Sequence, residues 1–229
     1  MIAIIPARGG SKGIPRKNLV PVGGKPLLWW TLDQCRRTPE ISLTCVSTDD
    51  EDIARLASQE GAEVIRRPPG LSGDDASSEA ALLHALALIE RTQGEDIELL
   101  VFPQATSPLR DPEDLIRGIE VMRSSRADSL FSCHIPEHLC LWEVRDGAYS
   151  PVTYDYRHRT PRQLEPKRYY VENGSFYIVR PSLLKQTGCR LGGHIEVCLL
   201  EPWKGLQIDA PDDVSLVECF IDRVRPALT

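Results

Sequence analysis

Hydrophobic residues open the chain in an almost unbroken block from Ile2 to Ala7. The block is short and rich in isoleucine, so it predicts a buried β-strand rather than a helix. Behind Pro26, the residues Leu27, Leu28, Leu32 and Cys35 recur at helical spacing, and a helix is expected there. The same alternation then repeats. Strand character returns in Leu-Thr-Cys-Val-Ser-Thr from Leu43, in Glu-Val-Ile-Arg-Arg-Pro from Glu63, in Glu-Leu-Leu-Val-Phe-Pro-Gln from Glu98 and in Ser-Leu-Phe-Ser-Cys-His-Ile from Ser129. Helical patterns are expected from Asp50 to Gln59, from Ser77 to Arg91, and from Asp111 to Arg123 with Pro112 in the first turn. This order predicts an α/β fold: a Rossmann-like, mostly parallel sheet with helices on both faces. Ligands of such sheets bind beyond the carboxyl ends of the strands, and the loop after Ala7 sits at such an end.

From about Glu137 the rhythm changes. Leu-Trp-Glu-Val-Arg-Asp-Gly-Ala-Tyr-Ser-Pro-Val alternates around an Asp-Gly pair and predicts a hairpin. Tyr154 to Lys167 is rich in Arg, Pro and Tyr without a clear period. Residues 137–172 are expected to form a small β-rich excursion from a single domain spanning 1–229. Strands return at Gly-Ser-Phe-Tyr-Ile-Val-Arg and His-Ile-Glu-Val-Cys-Leu-Leu-Glu, and a last helix is expected from Asp212 to Arg225.

Composition narrows the function. With 229 residues, 41% hydrophobic and 26% charged, the chain has the profile of a soluble globular protein. No run approaches the roughly 20 apolar residues of a membrane span, and the N-terminus lacks the features of a secretory signal. Seven cysteines, an odd number with no C-x-x-C pair, point to reduced thiols and a cytoplasmic location. The net charge of -6 argues against nucleic acid as a partner. Yet Arg8, Lys12, Arg16 and Lys17 fall within ten positions, and no acidic residue precedes Asp33. A local cationic cluster in an acidic chain suits a small anionic ligand.

Phosphate is the natural candidate. Backbone N–H groups around Gly9, Gly10 and Gly13 can converge on phosphate oxygens, because glycine tolerates unusual dihedrals. One phosphate–cation contact near 4 Å is worth about 4 kcal/mol at an effective dielectric of ~20, before desolvation. The alternative is a solvated basic loop. No segment fits the P-loop pattern, and Gly-Gly-Ser-Lys-Gly is not the dinucleotide fingerprint.

The stretch PARGGSKGIPRKN closely resembles the signature of the CMP-sialic acid synthetase family, the acylneuraminate cytidylyltransferases. The resemblance continues in order through VGGKPLL, VSTDDEDIA, RRPPGLSGDDASS, QATSPLR, ENGSFYI and QIDAPDD, nearly the whole chain. The R-Y-x-S-T-R-L-P loop of the related CMP-Kdo synthetases is absent. The resemblance implies a nucleotidyltransferase that joins CTP to the anomeric hydroxyl of a nine-carbon 2-keto sugar acid of N-acetylneuraminate, legionaminate or pseudaminate type. Pyrophosphate leaves, Mg²⁺ assists, and the enzyme is a homodimer.

The same resemblance implies the site. Arg8 and Lys17 hold the triphosphate, with Gly9, Gly10, Ser11, Lys12 and Asn18 around it. Arg67, Ser77 and Ser78 surround the cytidine, although Arg67 also reads as a surface residue and Ser77 as a helix N-cap. Gln104, Arg162 and Tyr177 match sugar-side positions, Arg162 from the dimer-forming segment; Tyr177 also reads as core. Arg110 stands open between that site and an ion pair with Asp111, Glu113 or Asp114. Asp209 is the expected Mg²⁺ ligand. The family motif is D-I-D, and here Gln207 replaces its first aspartate, so Gln207→Asp is expected to ease the Mg²⁺ requirement unless the site has repacked around the amide. Trp142 replaces a family lysine, and Val171-Glu172 a family arginine. Cys133, His134, His138 and Cys140 form a weak zinc candidate. Three rivals stand beside this reading: cytidylyl transfer to another acidic acceptor such as Kdo or a phosphonate, a nucleotide-binding or scaffold protein without turnover, and a dehydrogenase that would bind NADH and not CTP.

Overall fold

The computed structural model describes residues 1–11, 13–73, 76–93, 97–137, 139–159 and 169–224. The first strand, β1 (Ile2–Pro6), is central and covered on both faces. Its residues divide by parity, as the two-residue period of a strand requires. Ala3 and Ile5, with Ala7 beyond the strand's end, join one apolar cluster, while Ile2 and Ile4 join another. The first cluster is closed by α1 (Leu27–Arg36), α2 (Glu51–Gln59) and α4 (Pro112–Ser125), through Leu28, Leu32, Ile53, Leu115 and Ile119. The second is closed by α3 (Ser78–Gln93) and α5 (Pro181–Thr187), through Leu82, Leu86 and Leu184. That two-sided burial is why the strand reads as continuously apolar.

Parallel pairing joins β1 to β4 (Leu43–Thr48), β4 to β5 (Glu63–Arg66), and β1 to β6 (Leu100–Pro103). The far side of the sheet holds β7 (Ser129–His134), β10 (Val171–Val179) and β11 (Ile195–Leu199). The order is β11-β7-β10-β6-β1-β4-β5, with β10 antiparallel to both neighbours. The chain leaves β1 toward β4 on one side and later reaches β6 on the other, so the switch point lies between β1 and β6. The carboxyl ends of these two strands are where such folds bind ligands.

Local signals place the helix starts. Asp50 Oδ1 accepts from the backbone N–H groups of Asp52 and Ile53 at 2.9 and 3.0 Å. Ser77 Oγ accepts from Ala80 N at 3.1 Å, the N-cap role read beside its ligand role. Asp111 and Asp114 form a capping box at α4. The small ribbon of β2 (Pro21–Val22) and β3 (Lys25–Pro26) follows the first loop. The hairpin of β8 (Trp142–Arg145) and β9 (Ala148–Pro151) forms where expected. Its central residues, Asp146 and Gly147, have φ of 51° and 79°, the pattern of a type I′ turn. The last helix, α6 (Pro211–Val224), packs Val217 and Ile221 against Val22, Leu27 and Trp30.

Candidate active site

The first loop is braced from three sides. Gly9 N donates to Asp49 Oδ1 at 2.9 Å. Asn18, itself buried, donates through Nδ2 to the Arg8 carbonyl at 3.0 Å. Gly13 packs onto the segment after β11: a Cβ there would fall 2.2 Å from the Asp209 carbonyl oxygen, so only glycine allows the approach. That approach sets Lys17 Nζ 2.7 Å from Asp209 Oδ1. Arg8 Nη1 donates to the Gly73 carbonyl at 2.9 Å.

Of the four expected phosphate cations, Arg16 is turned elsewhere. Its backbone is left-handed, φ 54°, and its guanidinium pairs with Asp52 at 2.6 Å and Asp50 at 3.3 Å. Those acids at the start of α2 raise the Arg16 pKa, Asp52 most, and Arg16 in turn lowers that of Asp52. Lys12 lies outside the described residues, as do Arg162 and His138.

Between the loop and the end of β6 lies a cleft of about 160 Å³, lined by Arg8, Gly10, Ser11, Lys17, Asn18, Ser78, Phe102, Gln104 and Thr106, among others. Six of the ten expected nucleotide residues therefore share one wall system with Gln104. Ser77 is exposed and caps α3. Arg67 is buried behind the loop, where Nε donates to Ser47 Oγ at 3.2 Å and Nη2 to the Ser47 carbonyl at 2.7 Å. Burial lowers its pKa, Arg8 acts in the same direction, and Asp49 opposes. The surface alternative for Arg67 is thereby excluded.

Tyr177 stands behind the cleft wall. It is buried and stacks on the cleft residue Phe102, with ring centroids 5.6 Å apart. Its hydroxyl donates to Glu172, and Arg190 lies 4.7 Å from its ring centroid. Burial, then the Glu172 contact, push its pKa upward. Arg110 runs fully inside, donating to the Ser175 carbonyl at 2.5 Å and to Thr31 Oγ1 at 3.1 Å. Asp114, one of the partners proposed for it, binds Lys204 Nζ at 2.9 Å and Arg117 Nη2 at 2.7 Å. Lys204 is buried and also meets Asp111 at 2.9 Å and Glu201 at 3.3 Å. Burial pulls its pKa down, but the hydrogen bonds to Asp114 and Asp111 outweigh it and the net shift is upward. Nothing local in the sequence signalled this cluster.

Asp209 is largely exposed in its side chain and belongs to the loop through Lys17. Asp213, by contrast, caps α6: Oδ2 accepts from Asp209 N at 2.9 Å and Ala210 N at 2.7 Å, which lowers its pKa. One carboxylate beside a phosphate-suited loop fits Mg²⁺, which takes one or two carboxylates and completes its shell from phosphates and water. Among the described residues no group of three or more metal-ligating side chains converges, and His138 of the zinc candidate lies outside them. Cys133 is buried, and burial pushes its thiol up to about 11.

Residues 2–144 match the family described as cytidylyltransferase. The chain belongs to the cytidylyltransferase family. Within the family's reach, it is 34% identical over 220 residues to N-acylneuraminate cytidylyltransferase A of Danio rerio, which covers 94% of this chain and 49% of that one. The chain thus spans about half the length of that relative. It is 30% identical over 178 residues to pseudaminic acid cytidylyltransferase of Campylobacter jejuni, covering 77% and 76% of the two chains. Its fold is similar to that of a CMP:2-keto-3-deoxy-manno-octonic acid synthetase complexed with CTP, at a TM-score of 0.70 and 18% identity, over 97% and 98% of the chains. The matched residues include the first loop, whose Arg8, Gly10, Ser11, Lys17 and Asn18 line the cleft.

Proposed function

We propose that this protein transfers CMP from CTP to the anomeric hydroxyl of a nine-carbon 2-keto sugar acid, with pyrophosphate as the leaving group. The observation that carries the reading is the cleft between β1 and β6, which gathers Arg8, Lys17, Asn18 and Ser78 on one side and Gln104 and Thr106 on the other. The family membership and the two sugar-acid relatives support these donor and acceptor classes.

The difficulty of the reaction is bringing two anions together. Arg8 and Lys17 supply fixed positive charge where the pyrophosphate charge develops, the preorganised stabilisation that usually contributes most to such chemistry. Asn18 fixes the Arg8 backbone, and Gln104 offers an amide to a polyhydroxylated acceptor. Asp209 would hold Mg²⁺, whose contribution when bound is to draw electron density from the phosphate oxygens. The acceptor hydroxyl attacks the α-phosphorus as the bond to pyrophosphate breaks, and its proton passes to solvent or the departing oxyanion. No covalent enzyme intermediate is required.

The hairpin of β8 and β9 supports a homodimer. Trp142, Val144, Tyr149 and Val152 are exposed on it, Tyr149 by 76%, and an exposed apolar patch off the main sheet marks an association surface. Seven cysteines without a disulfide suit a reducing, cytoplasmic setting. No helix among the described residues is long and apolar enough to cross a membrane. The decisive experiment is pyrophosphate release from CTP against a panel of keto-sugar acids that includes Kdo. Release with a nine-carbon acid supports the reading; release with Kdo alone moves the acceptor to the eight-carbon class; none with any acid removes it.

A further inference from the structure

Gln207 is held between the cleft residue Thr106, in the loop after β6, and the first residues of β10. Its amide is engaged at both ends. Nε2 donates to the Asn173 carbonyl at 2.8 Å, and Oε1 accepts from Thr106 Oγ1 at 3.2 Å. The orientation of the amide follows from chemistry, because the Asn173 carbonyl can only accept. Gly174, at φ 66°, closes over it: a Cβ there would lie 2.3 Å from Nε2. The next residue, Ile208, donates its N–H to the Thr106 carbonyl at 2.8 Å. Gln207 is thus built into a junction of three segments.

Thr106 and Gln104 both face the cleft. The Thr106 hydroxyl has one proton and two acceptors in reach, Gln207 Oε1 at 3.2 Å and Gln104 Oε1 at 3.5 Å. The shorter contact takes the proton, which leaves the Gln104 oxygen to accept from a ligand hydroxyl or N–H. The Gln104 backbone is itself tied to the Ser175 carbonyl at 3.0 Å.

We propose that Gln207 is a positioning residue for the sugar-acid acceptor, setting Thr106 and Gln104 through its amide, and that it is not a ligand of the metal. The proposal rests on the cytidylyl-transfer reading. An amide is needed because the Asn173 carbonyl requires a donor, and only an amide of this size can meet it while its oxygen accepts from the Thr106 hydroxyl. A carboxylate has no donor and would set its oxygen against the Asn173 carbonyl, leaving a repulsive and unsatisfied contact. The neutral residue therefore has its own task, and the metal site keeps the single carboxylate of Asp209.

The test uses the full chain as wild type, Gln207→Glu, Gln207→Asp and Thr106→Val. The sugar-acid panel is run first on the wild type. KM for CTP and for the accepted sugar acid are then measured, with CTP binding by calorimetry over a Mg²⁺ series and thermal melting by circular dichroism. Gln207→Glu is expected to raise the acceptor KM about tenfold, while the CTP KM and the Mg²⁺ dependence of CTP binding stay within about twofold. Thr106→Val, which removes the same hydrogen bond from the other side while keeping side-chain volume, should also raise the acceptor KM, and it carries the test if the Gln207 variants fail to fold. An unchanged acceptor KM in Thr106→Val overturns the proposal. So does a Gln207→Asp protein that binds CTP at lower Mg²⁺ with its acceptor KM unchanged. If the wild type releases no pyrophosphate with any acid, the functional reading falls and the proposal with it.

Discussion

Lys17 Nζ and Asp209 Oδ1 meet at 2.7 Å across 192 positions of chain. The contact joins the cationic first loop to the segment that follows β11, so the lysine proposed for phosphate and the aspartate proposed for Mg²⁺ belong to one charge cluster. Replacing either changes the electrostatics seen by the other.

Lys17→Ala or Arg8→Ala is expected to lower pyrophosphate release by at least about tenfold with the fold intact, since removing one preorganised charge at developing negative charge costs several kcal/mol. Steady-state assays beside circular dichroism measure this. A folded variant with wild-type kinetics takes that residue out of the site.

Asp209→Asn should lose most turnover and should bind CTP more weakly in the presence of Mg²⁺ than the wild type, because a neutral amide replaces the one carboxylate at this position. Calorimetric titrations with and without the metal separate the two effects. Full activity of Asp209→Asn at low Mg²⁺ would place the ion elsewhere.

Nucleotide choice should favour CTP strongly over ATP and GTP. Of the residues proposed to surround the cytidine, Arg67 is fixed by Ser47 and Ser78 lines the cleft. Competition assays with the three nucleotides give the ratio, and equal turnover of ATP and CTP would contradict it.

Lys204→Met is expected to destabilise the protein by up to about 3 kcal/mol, because buried Asp114 would keep only the half-exposed Arg117 as a cation. Urea unfolding reads the loss. The Lys204 pKa is raised by folding, so its contribution is fully present below the unfolded lysine value and fades only as pH climbs through the folded value. The difference between wild type and variant should therefore hold steady through neutral pH and shrink only in strong alkali.

Tyr149→Glu combined with Val144→Glu should convert the proposed dimer to a monomer by placing charge on the exposed face of the hairpin. Light scattering at assay concentration follows the change. A wild type that is active and monomeric would refute association through this surface.

Much of this architecture was legible because the sequence carries it locally. The strands of the α/β half are short apolar runs, and Ser77, Asp50 and Asp111 mark helix starts in plain view. The direction of β10 was not legible, since a two-residue period is the same whichever way a strand runs. Helix α5 has only seven residues, too few to establish a period, although Pro181 and Gly188 bracket it. In the site, Arg8, Gly10, Ser11, Lys17 and Asn18 were accessible because one contiguous loop supplies them. Arg16 was misread because its left-handed backbone turns the side chain to Asp50 and Asp52, which composition does not encode. The Lys204 cluster and the Gln207 amide depend on partners about 90 and 101 positions away, beyond any local pattern.

The parity of β1 has a consequence for how this chain can change. Each residue from Ile2 to Ile5 is committed to one side of the sheet, and the cationic loop departs immediately after Ala7. Inserting or deleting one residue within the strand would exchange the two packing layers and launch Arg8 toward the opposite side. Substitutions of matched volume leave that phase untouched. The first strand therefore acts as a ruler as well as a wall: its residue count, more than its composition, aims the loop, and indels there should be purged where conservative replacements pass.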